Sequence, residues 1–385
     1  MYKKYYQHFL TANLGVQHYA SHSHHYWPDV TREATLQYWD DSAKYVDGKW
    51  NYFFSEKIPA TQKLIANVLK LHNPEQIVFA PNTHELLFRV ISCFDLKKSL
   101  RILTTDSEFH SFDRQVQRLK EETNVHVDKI STEPFDSFEA RFTQAIKTDS
   151  YDLIFLSQVF FNSGFAVQNL QKIVQAVTDS KTVIVVDGYH AFMALPTDLS
   201  AIQDRIFYLA GSYKYAQGGE GCCFMHVPKN TQLRPLYTGW FAGFSELAKK
   251  GENVSYSDDG LRFAGSTMDY SALYRLQAVL ELFQRESLTV EVIHAHIQQL
   301  QKNFLNHITE LNSPILKENL ILKLDYTHHG HFFAFEMESA ELAKKVSDFL
   351  SGHQLKTDYR GNRLRFGFGI YQNDCVDLTS LGSFS

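Results

Sequence analysis

An α/β fold, with a mostly parallel sheet covered by helices and a smaller C-terminal α+β unit, is predicted by three features of this sequence. Short β-rich runs alternate with helical periodicity through the first 280 or so residues. Four of these runs, DLIFLS, TVIVVDG, RIFYLAG and CCFMHV, are almost unbroken apolar stretches, as expected of strands buried on both faces. From about Glu281 the order changes to a long helix, LKLDY, FFAFEM, a helix near Ala340 to Leu350, and LRFGF.

Taken in order, apolar residues at Leu64, Ile65, Val68 and Leu71 mark a helix from Thr61 to Leu71. QIVFA follows as a strand, then a turn at Pro81-Asn82-Thr83 and a helical run to Phe94. RILTTD (Arg101 to Asp106) is the next strand, ahead of a polar turn and a helix around Arg114 to Lys120. The four apolar strands come next. The expected division is an N-terminal segment over 1–45 packing near the site and the small unit, a large unit over 46–285, and a small unit over 286–385.

The totals narrow the function. A chain of 385 residues with 44% hydrophobic and 21% charged residues is ordinary globular composition, long enough for two units. Its net charge of −5 supplies no basic field for nucleic acid or anionic lipid. The start, MYKKYYQHFLTANLG, lacks the apolar core of a signal peptide, and no run is long enough to span a bilayer. The expected location is cytoplasmic. Cys93, Cys222, Cys223 and Cys375 show neither metal-ligand nor redox spacing and read as core thiols.

Ligands of such sheets bind beyond the carboxyl ends of the strands. Three polar groups fall there. Asn82 and Thr83 follow QIVFA and open a helix, whose free N–H groups suit an anion, although Thr83 also serves as a plain helix cap. Asp187 ends TVIVV, so it either caps a turn or keeps a heterocyclic nitrogen protonated. Lys214, in GSYKYAQGGEG just past RIFYLAG, is either a surface lysine or a Schiff-base amine whose pKa burial has lowered. No single residue decides between these readings.

The order and spacing of Asp187 and Lys214, each closing a strand behind an upstream phosphate turn, resemble the fold-type I enzymes that use pyridoxal 5′-phosphate (PLP). More specifically, the chain resembles the class V aminotransferase superfamily and, within it, the kynureninase family. The resemblance is carried by DGYH (Asp187 to His190), SYKY followed by GG, GWF (Gly239 to Phe241), RFAGST (Arg262 to Thr267) and DYRGNRLRFGFGIY (Asp358 to Tyr371). It spans about residues 10 to 375 and implies a seven-stranded, mostly parallel sheet. It also implies that Lys214 carries PLP and shuttles protons at the substrate Cα, with Asp187 at the ring nitrogen and His190 close by. Asn82, Thr83, Ser212 and Tyr213 would hold the phosphate, and Phe109 would stack on the ring, with His110 as the alternative. Arg365 would clamp the substrate carboxylate, a role suited to guanidinium geometry. Trp240 and Ser266 would reach the site from the partner subunit of a homodimer.

Two positions depart from the kynureninase pattern. Phe160 stands where relatives have an asparagine near the ring hydroxyl, with Gln158 or Asn162 as candidate substitutes. Phe112 stands where they have an aspartate, with Asp113 adjacent. Cysteine desulfurases need a nucleophilic cysteine ahead of the carboxylate-binding arginine, and Leu320 to Arg365 contains none. The histidines of QHYASHSHHYW lack convincing ligand spacing, so no metal is expected. HHGH at His328 to His331 reads as a turn.

The expected reaction is hydrolytic Cβ–Cγ cleavage of kynurenine or a related β-acyl amino acid, with Tyr213 giving a proton to the departing carbon. Transamination or β-elimination on another amino acid is the runner-up. A catalytically silent scaffold is the alternative from another class.

Overall fold

The computed structural model describes residues 2–246, 253–323, 329–373 and 375–384. Among them the α-helices are α1 (Gln7–Ala12), α2 (Val30–Tyr45), α3 (Lys49–Tyr52), α4 (Ile58–Leu69), α5 (Thr83–Ile91), α6 (His110–Glu122), α7 (Phe135–Thr148), α8 (Leu170–Gln175), α9 (Ser271–Arg285), α10 (Val290–Leu311) and α11 (Ala340–Gly352). The strands are β1 (Gln17–His18), β2 (Ile77–Ala80), β3 (Leu100–Thr105), β4 (Val125–Ile130), β5 (Leu153–Ser157), β6 (Val183–Asp187), β7 (Ile206–Gly211), β8 (Cys223–His226), β9 (Phe332–Glu336), β10 (Leu355–Lys356), β11 (Asp358–Arg360) and β12 (Arg363–Gly367). No helix of the described residues is long and apolar enough to cross a membrane.

Seven strands form the main sheet in the order β2-β8-β7-β6-β5-β3-β4, and only β8 runs antiparallel to its neighbours. The α/β fold and mostly parallel sheet read from the sequence are those observed. The apolar runs have the expected cause: β5 and β7 are buried along their whole length, and β6 is buried up to Asp187. At the sheet edge, β4 is half polar (VHVDKI) and buries only Val125. That pattern carries no buried-strand signal, and sequence reasoning passed over it.

The second sheet has the order β11-β12-β9 and is antiparallel. The N-terminal segment reaches it: β1 pairs in parallel with β10, and Ala20 bridges to Gly367. The same segment also touches the large unit, because Tyr274 on α9 donates its hydroxyl to Asp41 on α2 at 2.8 Å.

The single long helix expected beyond Glu281 is two helices. Ser287 takes a positive φ of 54°, and Thr289 restarts the chain by accepting the Val292 N–H on its hydroxyl at 3.3 Å. Of LKLDY, Leu322 bonds to Ala334 beside β9, while residues 324–326 lie outside the described residues, as does His328 of HHGH. The remainder of HHGH leads into β9 as a connection: His329 bridges to Phe165 and Gly330 donates to the Gly164 carbonyl.

Candidate active site

β3 and β5 are neighbours whose onward connections leave in opposite directions, to β4 on one side and β6 on the other. Such a reversal opens a crevice at the carboxyl ends of the strands. A cavity of about 230 Å³ lies there. Its walls include Asn82, Thr83 and His84 from the start of α5, Phe109 after β3, and Ser157, Val159 and Phe161 at the end of β5. Asp187, Tyr189 and His190 follow β6, and Tyr213 and Lys214 follow β7.

Local structure fixes each side chain. Asn82 is the α5 N-cap, and its side-chain oxygen accepts the Glu85 N–H at 2.9 Å, satisfying one of the first-turn N–H groups that lack helical acceptors. Asp187 is held by the Tyr189 N–H at 2.9 Å, so the turn after β6 orients the carboxylate. Gly221, also on the wall, takes φ 101°, a backbone conformation that glycine adopts without strain. Lys214 itself is 6% exposed, and its Nζ lies 2.6 Å from His190 Nε2. The rings of Tyr189, Phe109 and Tyr213 surround that amine, with centroids at 4.9, 5.4 and 5.8 Å.

The electrostatics follow from burial. Burial pulls the Lys214 amine down to about 7, although Asp187 opposes the shift. Burial pushes Asp187 up, against the Tyr189 hydrogen bond and Lys214. His190 is held well below its ordinary range by burial and then by the neighbouring Lys214, so it is neutral. Its Nδ1 is buried and has no hydrogen-bond partner. An amine uncharged near neutrality is a nucleophile, whereas an ordinary lysine is not.

The structure gathers Asn82, Thr83, Phe109, Asp187, His190, Tyr213 and Lys214 around one cavity. It does not bring the remaining expected residues there. Ser212 is buried and donates its hydroxyl to the Gly219 carbonyl inside the lysine loop. Ser266 lines a separate cavity of about 260 Å³ together with Arg89, Tyr237 and Phe241; Pro81 stands on the wall of both cavities. Trp240 packs on Phe241 at 4.3 Å beside Trp50. Arg365 is 2% exposed and joins Asp358 on the small sheet. His110, the alternative ring partner, begins α6 and is not on the wall.

Two positions singled out as departures are core residues. Phe112 stacks on Phe155 with centroids 3.8 Å apart, and Phe160 meets Phe138 edge-on at 5.4 Å. The wall residue is instead Phe161. Gln158 turns away, donating to Thr197 at 3.0 Å and accepting from Tyr208 at 2.9 Å. Asn162 keeps a buried Oδ1 without a partner, off the cavity wall.

Sequence reasoning missed Glu108, Ser157, Tyr189, Phe161 and Cys223. Glu108 is buried, accepts from Thr105 Oγ1 at 2.8 Å and Ser157 Oγ at 2.5 Å, and is pushed by burial up to about 7. A glutamate directly before the stacking candidate Phe109 was the available signal. The N-terminal histidines are dispersed: His18 stacks on Tyr26, His22 pairs with Asp358, His25 bonds to the Tyr26 carbonyl, and His24 lies 5.9 Å from the Tyr213 ring. Among the described residues no group of three or more His, Cys, Asp or Glu is placed to hold a metal ion.

Comparison with known proteins agrees with this architecture. A probable cysteine desulfurase of Vibrio cholerae serotype O1 is 20% identical over 339 residues, covering 83% of this chain and 80% of that protein. A Yersinia pestis cysteine desulfurase is also 20% identical, over 67% of this chain and 63% of its own length. Among solved structures, the apo cysteine desulfurase of Thermococcus onnurineus superposes with a TM-score of 0.74 at 18% identity, covering 97% of this chain and 93% of that one. A C-DES variant with glycine covalently linked to its PLP cofactor gives a TM-score of 0.78 at 18% identity, covering 98% and 97%. C-DES is described elsewhere as a cystine C–S lyase. The profile described as aminotransferase class-V matches residues 28–348, most of the chain, and the protein belongs to that family.

Proposed function

We propose that this protein is a PLP-dependent enzyme in which Lys214 holds the cofactor, yields its place there to the primary amino group of a substrate and moves the proton on the adjoining carbon. The observation that carries this reading is the Lys214 amine, buried among three aromatic rings at the crevice and lowered to about 7. The residues present fit the group. Thr83 and the start of α5 would hold a phosphate, Phe109 would offer a ring to stack on, and Asp187 would offer a half-buried carboxylate to a ring nitrogen. His190 Nδ1 is a buried polar atom awaiting a partner. When bound, the cofactor supplies an electron-withdrawing ring that stabilises negative charge on the carbon beside the captured nitrogen.

Within that frame Lys214 is the base at the substrate carbon. Tyr213, pushed by burial up to about 12, keeps its proton and can give it to a departing group. The aromatic wall of Phe109, Phe161, Tyr189 and Tyr213 favours an aromatic or acyl substituent, which supports hydrolytic Cβ–Cγ cleavage of a kynurenine-like compound. The desulfurase reaction named for the relatives requires a reactive thiol, and the thiols here do not favour it. Cys223, on the wall, is pushed by burial up to about 12, while Cys375 lies exposed in another cavity with His18 and Tyr371. Trp240 and Ser266 belong to this reading as residues that reach the site from a second subunit, supported by exposed Leu236 and by exposed Tyr237, which lines the Ser266 cavity.

The test is reconstitution with PLP. The wild type should acquire a visible absorbance band that Lys214→Ala lacks; equal spectra would remove Lys214 from the role. Release of alanine from kynurenine or 3-hydroxykynurenine tests the finer reaction, and no alanine from either would exclude it.

A further inference from the structure

The chain from Ser212 to Cys223 links β7 to β8 and supplies Tyr213, Lys214, Glu220, Gly221 and Cys223 to the cavity wall. It doubles back on itself: the Gln217 N–H bonds to the Lys214 carbonyl at 3.0 Å and the Gly218 N–H to the Ser212 carbonyl at 2.8 Å. Beyond that turn three successive carbonyls are gripped. Arg275 on α9 donates Nε to the Gly218 carbonyl at 2.8 Å and Nη2 to the Glu220 carbonyl at 2.6 Å. The Ser212 hydroxyl takes the Gly219 carbonyl between them.

The N-terminal segment backs this arrangement. The Arg275 guanidinium lies over the Trp27 ring, 5.3 Å from its centroid. Gly219, at φ 73°, leaves room for that ring, and any side chain there would run into it. Buried Tyr6 donates its hydroxyl to Gln217 Oε1, at a residue whose φ is 59°. Among the described residues the only other hydrogen bond of Arg275 is to Ser271 Oγ, at 3.4 Å, so its fork serves the loop and not a carboxylate. A planar fork shared between two carbonyls fixes the spacing between them, which a point charge cannot do. Lys214 opens the same loop, so displacement of Gly218 to Glu220 would move both the amine and the wall beside it.

We infer that Arg275, seated on Trp27, is a positioning residue for the reaction: its fork holds the lysine loop in one shape and so keeps the Lys214 amine in place among the aromatic rings. The inference rests on the reading of Lys214 as the amine that holds the cofactor, and it adds the residues that fix that amine from behind.

Two measurements test it. In the first, apoprotein is treated with propanal and cyanoborohydride across a pH series, and mass spectrometry follows modification of Lys214. The midpoint should lie near 7 in the wild type and rise by about one pH unit or more in Arg275→Met, where water gains the loop. Arg275→Lys, a point donor of the same charge, should fall between the two. A midpoint unmoved in Arg275→Met, or fully restored by Arg275→Lys, overturns the role of the fork. The second measurement needs no variant to fold. In wild-type apoprotein the Gln217 and Gly218 amides should exchange hydrogen about 10²-fold or more slowly than unprotected amides. Exchange as fast as in an unfolded peptide overturns the fixed loop. If Lys214 takes up no propanal in the wild type, the Lys214 proposal fails by itself, and the exchange measurement still decides whether the loop is held.

Discussion

Two buried cations are treated in opposite ways by this protein. Lys214 is buried against a neutral histidine, with aromatic rings around it, so burial strips its proton near neutrality. Arg365 is buried as deeply but meets a carboxylate on two edges, and Asp358 is held well below its ordinary range: burial would raise it, yet His22 and Arg365 outweigh burial. A buried cation without an ion-pair partner becomes a reactive amine; one with a partner becomes structure. The difference is chemical as well as geometric, since a guanidinium cannot shed its proton and must be paired.

This contrast is easiest to break at Lys214. Lys214→Ala should abolish the cofactor band and lower turnover by about 10³-fold or more, because no other amine lines the cavity. Single-turnover assays with an added small amine would show whether an external base restores part of the rate.

The Arg365 side should register as stability. Removing either partner alone, in Arg365→Met or Asp358→Asn, should cost about 3–5 kcal/mol in denaturant unfolding. Replacing both with apolar residues of similar size should recover most of that loss. Equal losses in the double and single variants would show that the pair is not coupled.

Glu108 gives a smaller, pH-dependent effect. Its carboxyl titrates near 7 in the folded protein against 4.5 unfolded, so the folded state holds the extra proton between those values. Stability contributed by this group therefore declines as pH rises from about 4.5 to 7. Glu108→Gln should flatten that slope and gain up to about 3 kcal/mol near neutrality. An unchanged pH profile would mean that Ser157 and Thr105 carry the charge without penalty.

The smallest effect concerns Asp187 acting on Lys214 at a distance. Capture of a small aldehyde by the apoprotein should rise through about pH 7, and Asp187→Asn should move that midpoint lower, since the carboxylate favours the charged amine. A midpoint near the ordinary lysine value in either protein would contradict the buried placement.

The large sheet was legible because its strands are buried on both faces, which leaves unbroken runs such as IFYLAG. The same alternation of strand and helix placed Asp187 and Lys214 at strand ends, where the structure finds them. What stayed hidden depends on long-range placement. Nothing local distinguishes Phe160, in the core, from Phe161, on the wall, because a strand end turns through one residue. Asp358 was quoted in the segment that carries Arg365, but its role arises from cross-strand register and from His22 and Ser23, over 330 residues away in sequence.

That last distance has a consequence for how the molecule is made. Ser23 and His22 lie near the beginning of the chain and Asp358 and Arg365 near its end, with β1 and β10 joined beside them. Closing so long a loop is among the slower steps available to a folding polypeptide. During synthesis the sheet that bears Lys214 has all its strands before the final hairpin exists. The amine's sheet is therefore complete in sequence before the hairpin that carries Asp358 and Arg365.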